Sequence, residues 1–154
     1  MRILLIGLMV LLAACASEDI PPDDGTFRVD GILQFVRADG SVIGAIEIEI
    51  AEDETSRQRG LMYRRQMTLG QGMLFLFPRP DNLKFWMANT PIPLDIMFVG
   101  ADSQIVNIVK RTKPLSQENV YSDGPAQYVV EVRGGFSDRF DIDETVKIRW
   151  QRNE

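Results

Sequence analysis

The sequence predicts a single mainly-β domain, folded as an antiparallel β-sandwich or partly closed barrel with one or two short helices. Three observations support this fold class. Short runs alternate between apolar and polar residues, turn residues separate the runs at regular intervals, and no β–α–β rhythm indicates a parallel sheet. We therefore expect about seven or eight short strands in a folded domain that spans residues 27–154.

The first 26 residues predict export and anchoring. Residues 1–14 have the pattern of a signal peptide, in which Arg2 supplies a positive charge and an apolar run leads to Ala13-Ala14 just before Cys15. This pattern is a lipobox, which predicts cleavage before Cys15 and lipidation of its thiol. The apolar run is far shorter than the roughly 20 residues of a membrane span. Residues 15–26 predict a lipidated acidic tether.

The domain is expected to begin with a hairpin. Residues 32–36 and 42–50 read as strands joined by the turn Asp39-Gly40. In the second strand the isoleucines alternate with Glu47 and Glu49, which predicts that both glutamates face solvent. A capping box at residues 55–58 and a glycine at position 60 predict a short helix over residues 54–62.

The rest of the domain predicts further strands separated by proline, glycine and aspartate turns. A single helical turn is expected over residues 136–140. The expected strands span residues 73–77, 83–87, 94–99, 104–111, 127–132 and 145–150.

Composition removes several classes of function. The chain has no histidine and one cysteine, which excludes a Ser-His-Asp triad, a Cys-His pair and the ordinary zinc sites. The net charge is −5 and there is no basic run, so no nucleic-acid partner is expected. No cofactor and no metal site are predicted.

Several motifs occur in a fixed order along the folded part. They are R-G-L-M-Y-R at residues 59–64, G-M-L-F at 72–75, F-W-M-A-N-T at 85–90 and P-L-D-I at 93–96. In combination they resemble the family called domain of unknown function 192, from about Val42 to the C-terminus. The resemblance implies a compact, mainly β fold that is found in many bacteria and is often exported, and it implies no established activity. Family members often carry a glycine in the turn that here reads Asp143-Glu144-Thr145-Val146.

Two acidic residues stand inside apolar strands, Asp95 and Glu131. If they share a cleft, they could act as general acid and base, as in glycoside hydrolysis. The alternative is structural, since buried charges are usually paired. Asp95 would then brace the loop at residues 89–91, and Glu131 would pair with Arg59 or Arg64.

A second group combines cations, amides and aromatic rings. Its members are Arg59, Arg64, Lys84, Phe85, Trp86, Asn89 and Thr90. Arginine binds carboxylate or phosphate groups, and an aromatic ring beside it could line a ligand cleft. The alternative is that Trp86 belongs to the core and that Asn89 and Thr90 form a turn.

Methionines form a third group, and soft thioethers bind Cu(I). Those within one short span are Met62, Met67, Met73, Met87 and Met97. The alternative, which the apolar neighbours favour, is that they fill gaps in the core.

The leading hypothesis is a non-catalytic envelope module that binds a small ligand or a protein partner. The lipid at Cys15 would attach the module to a membrane. We expect the periplasmic face of the outer membrane, because Ala16 and not an aspartate follows the cysteine. A hydrolase or lyase acting on cell-wall glycan and methionine-based Cu(I) handling are the alternatives. The expected functional face consists of Arg59, Arg64, Trp86, Asn89, Thr90, Asp95 and Glu131.

Overall fold

The computed structural model describes residues 26–154. The predicted signal peptide, Cys15 and the tether up to residue 25 therefore lie outside the described residues. Within residues 26–154 no helix is both long and apolar enough to cross a membrane. The elements are β1 (Gly31–Val36), β2 (Val42–Ala51), α1 (Glu54–Arg59), β3 (Gln71–Asp81), β4 (Lys84–Phe85), β5 (Leu94–Val99), β6 (Ile105–Val109), β7 (Val120–Tyr121), β8 (Ala126–Arg133), α2 (Phe136–Arg139) and β9 (Lys147–Arg152).

Seven strands form one large sheet in the order β6-β5-β8-β3-β2-β1-β9, and β4 pairs with β7 in a separate ribbon. The large sheet curls until an isolated bridge between Gln104 and Lys147 joins its two edges. It does not close into a barrel, and the arrangement is sandwich-like. The predicted mainly-β fold class is confirmed.

One strand pair differs from the prediction. β2 and β3 run parallel, with Glu49 opposite Met73, whereas all the other named pairs are antiparallel. A parallel pair needs a crossover of a dozen or more residues. The connection over residues 52–70, which contains α1, supplies it.

Helix α1 is shorter than predicted because Gly60, with φ +46°, ends it. The capping box also lies elsewhere than expected. Asp53 is the N-cap, its side chain accepts a hydrogen bond from the Ser56 N–H (2.9 Å), and the Asp53 N–H donates to the Ser56 hydroxyl (3.2 Å). The predicted box at residues 55–58 was wrong because aspartate also caps helices well.

The two faces of the large sheet carry separate clusters of buried apolar side chains. The first core cluster lies under α2, where Phe136 packs on Phe35 with ring centroids 5.3 Å apart. It contains Leu33, Phe35, Ile46, Ile48, Ile50, Leu74, Met97, Val99, Ile105, Val130, Val132, Phe136, Ile142, Val146 and Ile148. The second core cluster contains Ala51, Leu61, Met67, Met73, Phe75, Leu83, Met87, Leu94, Ile96, Phe98, Ala126 and Val129.

The second face is covered by irregular chain and by the β4–β7 ribbon. Phe85 of β4 packs edge-on against Phe75 at 5.0 Å and against Phe98 at 5.9 Å, measured between ring centroids. The segment that follows α1 is joined to this layer where the Tyr63 N–H donates to the carbonyl of Asn89 (2.6 Å). The motifs at residues 59–64 and 85–90 therefore meet on the second face.

Candidate functional site

A cavity of about 240 Å³ opens between the end of β2, helix α1 and the segment after it. We call it the arginine pocket. Three guanidinium groups lie around it, from Arg28, Arg59 and Arg64. Its principal other lining residues are Glu49, Met62 and Met73. Arg28 is ion-paired with Asp30 (2.7 Å) and Arg64 with Glu49 (2.9 Å), so the lining combines arginine donors with carboxylates.

Glu49 and Arg64 form a buried ion pair in this pocket. Arg64 Nη2 lies 2.9 Å from Glu49 Oε1, and the two side chains are 10% and 6% exposed. The backbone N–H of Arg28 donates to the same carboxylate oxygen at 2.9 Å. The Arg64 guanidinium also lies over the ring of Phe27, 5.6 Å from its centroid. Since breaking a buried pair leaves an uncompensated charge, these contacts hold Arg64 in place at the cavity wall.

Helix α1 is fixed to the sheet by Arg57, which positions the pocket's outer wall. The Arg57 guanidinium donates to the carbonyls of Glu52 and of Leu76, the latter at 2.9 Å. It also lies 5.2 Å from the ring centroid of Phe77. Arg59 follows two residues later on the same short helix and lines the pocket.

Glu131 lies on the same face of the sheet as Glu49. Met73 is paired with Glu49 on one side and with Glu131 on the other, so the three side chains emerge together in one row. Two strand spacings place the Cα atoms of the glutamates about 10 Å apart. Glu131 is 4% exposed, and burial raises the pKa of its carboxyl to about 8. At neutral pH the group is therefore mostly protonated.

The expected pairing of Glu131 with Arg64 is not found, because Arg64 binds Glu49. Glu49 is the residue that the sequence prediction missed, since it was assigned to the solvent face of β2. In the structure Glu47 is exposed and Glu49 is buried. An alternating pattern gives the face on which a side chain lies but does not distinguish solvent from a polar cavity.

Asp95 has a structural role on the opposite face of the sheet. It is paired with Val132 of the first core cluster, whereas Glu131 projects into the second. Its carboxylate accepts hydrogen bonds from the backbone N–H groups of Arg111 (2.8 Å), Gly135 (3.0 Å) and Ser137 (2.8 Å). It therefore braces the ends of β6 and β8 and not the loop at residues 89–91. Because Asp95 and Glu131 lie on opposite faces, they cannot act as acid and base on one substrate.

Asn89 and Thr90 form a turn. Asn89 has φ +58°, a left-handed conformation that asparagine tolerates, and its carbonyl holds the segment after α1 as described above. The buried Thr90 donates its backbone N–H to the Met87 carbonyl at 3.0 Å. Trp86 is not the core residue that the structural alternative predicted. Half of it is exposed, and it does not belong to either core cluster.

The methionine sulfurs do not gather at the surface. Met97 lies in the first core cluster, and Met67, Met73 and Met87 lie in the second. Met87 Sδ accepts a hydrogen bond from the Thr112 hydroxyl (3.1 Å). Of the five, Met62 and Met73 line the arginine pocket. The packing of the four methionines in the core clusters fits a core role and not a convergent Cu(I) site.

Comparison with known proteins assigns the chain to a family. The sequence profile of DUF192, described as an uncharacterized ACR, matches residues 35–150, more than half of the chain. The chain belongs to the DUF192 family. None of the curated proteins compared with it matches significantly.

Two solved structures resemble this DUF192 protein. One is a proposed transcription regulator from Sinorhizobium meliloti 1021, 32% identical, with a TM-score of 0.75, covering 79% of this chain and 93% of its own. The other is a protein of unknown function from Novosphingobium aromaticivorans DSM 12444, 34% identical, with a TM-score of 0.73, covering 77% of this chain and 84% of its own.

The motifs that resemble the DUF192 pattern have different roles in this member. R-G-L-M-Y-R, at residues 59–64, carries two arginines of the pocket together with Met62. F-W-M-A-N-T, at residues 85–90, forms part of the ribbon and the turn beside it. P-L-D-I, at residues 93–96, contains the brace Asp95. The first motif contributes most to the cavity, and G-M-L-F at residues 72–75 adds Met73 to its lining.

Proposed function

We propose that this protein is a lipid-anchored envelope module that binds a small ligand through a carboxylate or phosphate group in the arginine pocket. The observation that carries the proposal is the gathering of three arginines around a cavity of about 240 Å³. The pocket is a binding site and not a catalytic one in this proposal, because the two carboxyls considered as acid and base lie on opposite faces of the sheet.

The chemistry of the lining favours an anion. Each guanidinium offers five N–H donors in a planar fork that matches a carboxylate or phosphate. Glu49 takes one donor of Arg64 and Asp30 takes the Nε donor of Arg28. A ligand anion that enters the pocket would accept hydrogen bonds from the guanidinium groups, and hydrogen bonds to charged groups each contribute about 1.5–3 kcal/mol.

A thermal-shift titration tests the ligand part of the proposal. All named elements lie within residues 31–152, so a chain of residues 16–154 keeps the described fold. The probes are inorganic phosphate, succinate and soluble peptidoglycan fragments. A probe at about 100 times its Kd stabilises the folded state by roughly 2.7 kcal/mol, which raises the Tm measurably.

Two variants locate the binding. Arg59→Ala should lower the affinity for the probe at least about tenfold. Arg149→Ala, an exposed arginine on β9, is the matched control and should leave the affinity unchanged. The ligand proposal is wrong if no probe raises the Tm of the wild type, or if both variants bind equally well.

The lipid anchor is supported by the sequence around Cys15 and has its own test. Growth with labelled palmitate should label the wild-type protein and leave Cys15→Ser unlabelled. The cells that express each form would be separated into membrane and soluble fractions. The wild type should sediment with the membranes. Equal labelling, or no labelling, of the two forms would contradict the anchor.

A further inference from the structure

The β4–β7 ribbon has one buried and one outward face. Lys84 pairs with Tyr121, and Phe85 pairs with Val120. Phe85 and Val120 pack against the second core cluster, so Lys84 and Tyr121 point the other way. Trp86 continues the alternation and joins them on the outward face.

Exposed apolar side chains are concentrated on this ribbon. Five large hydrophobic residues are exposed among residues 26–154, and three of them are Trp86 (50%), Leu115 (61%) and Tyr121 (58%). Leu115 belongs to the connection that runs beside the ribbon, where its N–H donates to the Thr90 carbonyl (3.0 Å) and the Met87 N–H donates to the Ser116 carbonyl (3.1 Å). We call Trp86, Leu115 and Tyr121 the ribbon patch.

The chemistry of the ribbon patch matches a lipid–water interface. Tryptophan and tyrosine each combine an apolar ring with one polar group, and they concentrate at the level of the lipid headgroups. Lys84 pairs with Tyr121 and lies two residues before Trp86, and its alkyl chain can be buried while its ammonium stays in water. The exposed charges nearest in sequence balance, with Lys84 and Lys113 against Glu118 and Asp123. Apolar insertion, and not charge attraction, would then supply the binding.

We propose that the ribbon patch docks on a lipid bilayer surface. This rests on the proposed lipid anchor and is independent of the arginine pocket. Residues 16–25 lie between Cys15 and Thr26, the first described residue. Fully extended, the chain from Cys15 to Thr26 spans at most about 40 Å. An anchored Cys15 therefore keeps the ribbon within reach of the bilayer, where even a weak contact is strengthened by the high local concentration of lipid.

Sedimentation with vesicles tests the docking without the lipid anchor. The chain of residues 16–154 is mixed with phosphatidylcholine vesicles, and the bound fraction is measured together with tryptophan emission. The wild type should bind reversibly, and its emission should move to shorter wavelength as Trp86 leaves water. Added salt should leave the binding unchanged, since no net charge attraction is involved. Phosphatidylglycerol should weaken it because the protein is acidic.

The double variant Trp86→Ser/Tyr121→Ser should bind at least about tenfold more weakly, since each ring loses its apolar burial. Val29→Ser/Val42→Ser is the matched control, because these two residues are also exposed but lie outside the ribbon. It should bind like the wild type. Unchanged melting temperatures would establish that both variants are folded.

Three results would overturn the proposal. In the first, the vesicles sediment without the wild-type protein, and in the second, the ribbon variant binds as well as the control variant. The third is a wild-type dimer in analytical ultracentrifugation that the ribbon variant abolishes, which would assign the patch to a second copy of the chain. Absence of vesicle binding would leave the labelling of Cys15 unaffected, so the two proposals fail separately.

Discussion

The two faces of the large sheet use buried acidic residues in different ways. On the first face the carboxylate of Asp95 accepts three backbone hydrogen bonds within an otherwise apolar layer. On the second face Glu49 is held by an arginine side chain at a cavity, and Glu131 is buried with a raised pKa. A carboxylate fixed by backbone donors defines chain geometry, whereas Glu49 at the pocket wall leaves room for binding and the buried Glu131 makes stability depend on pH.

The largest expected effect is on the first face. Asp95→Ala leaves one buried and two partly buried N–H groups without their acceptor, and each unsatisfied buried group costs about 1–3 kcal/mol. The free energy of unfolding should fall by about 4 kcal/mol or more, measured by urea denaturation. A loss below about 1 kcal/mol would mean that the brace is dispensable and that the contrast between the faces is wrong.

On the second face, Arg64→Met should cost about 3 kcal/mol, because it leaves Glu49 as an uncompensated buried charge. The double variant Arg64→Met/Glu49→Leu should recover most of that loss, since a buried ion pair is often replaceable by apolar residues. Urea denaturation of both variants and of Glu49→Leu gives the coupling energy. Additive losses would contradict a coupled pair.

Glu131 should make stability depend on pH. Its carboxyl holds a proton up to a pKa of about 8 in the folded state and up to about 4.5 when unfolded. Between these values the folded state binds more protons, so the free energy of unfolding falls as the pH rises from about 4.5 to about 8 and levels off above that range.

The expected loss over that window is about 4 kcal/mol, and Glu131→Gln should remove it. Urea denaturation of wild type and variant at several pH values measures the difference between the two slopes. Parallel pH profiles for the two proteins would assign the dependence to other groups. The pH effect would then say nothing about Glu131.

The smallest effect concerns the turn beside the pocket. Asn89→Gly should leave stability within about 0.5 kcal/mol of the wild type, because glycine adopts a positive φ freely. Asn89→Ala should lose about 1 kcal/mol. Thermal unfolding compares the two. If both variants keep their stability but lose binding of the probe that the wild type binds, the side chain of Asn89 contacts the ligand and its assignment to the turn is incomplete.

Much of the fold could be predicted because local patterns determine it. The strand predicted at residues 94–99 coincides with β5, and the first hairpin differs by one residue at each outer end. The parallel pairing of β2 with β3 was missed because it depends on where a long connection returns, which no local pattern encodes. The two-residue strand β7 is too short to show any periodicity.

The candidate site was harder to predict, since burial of a charge depends on its partners in space. Arg59 and Arg64 were identified from their motif, and the structure places both at one cavity. Glu49 was missed because its alternation with isoleucine is the same whether its side chain faces water or Arg64. Asp95 was recognised as unusual, but its three donors come from segments distant in the sequence.

The incomplete closure of the large sheet leaves two edge strands that could pair with another chain and begin aggregation. At β6 the Asn107 side chain donates to the Tyr121 carbonyl (3.1 Å) and accepts from the Asp123 N–H (3.0 Å), so the neighbouring segment is held against that edge. At β9 the exposed residues include Lys147, Arg149 and Arg152. Two such strands brought together would place like charges side by side, so each molecule repels edge-to-edge addition of the next.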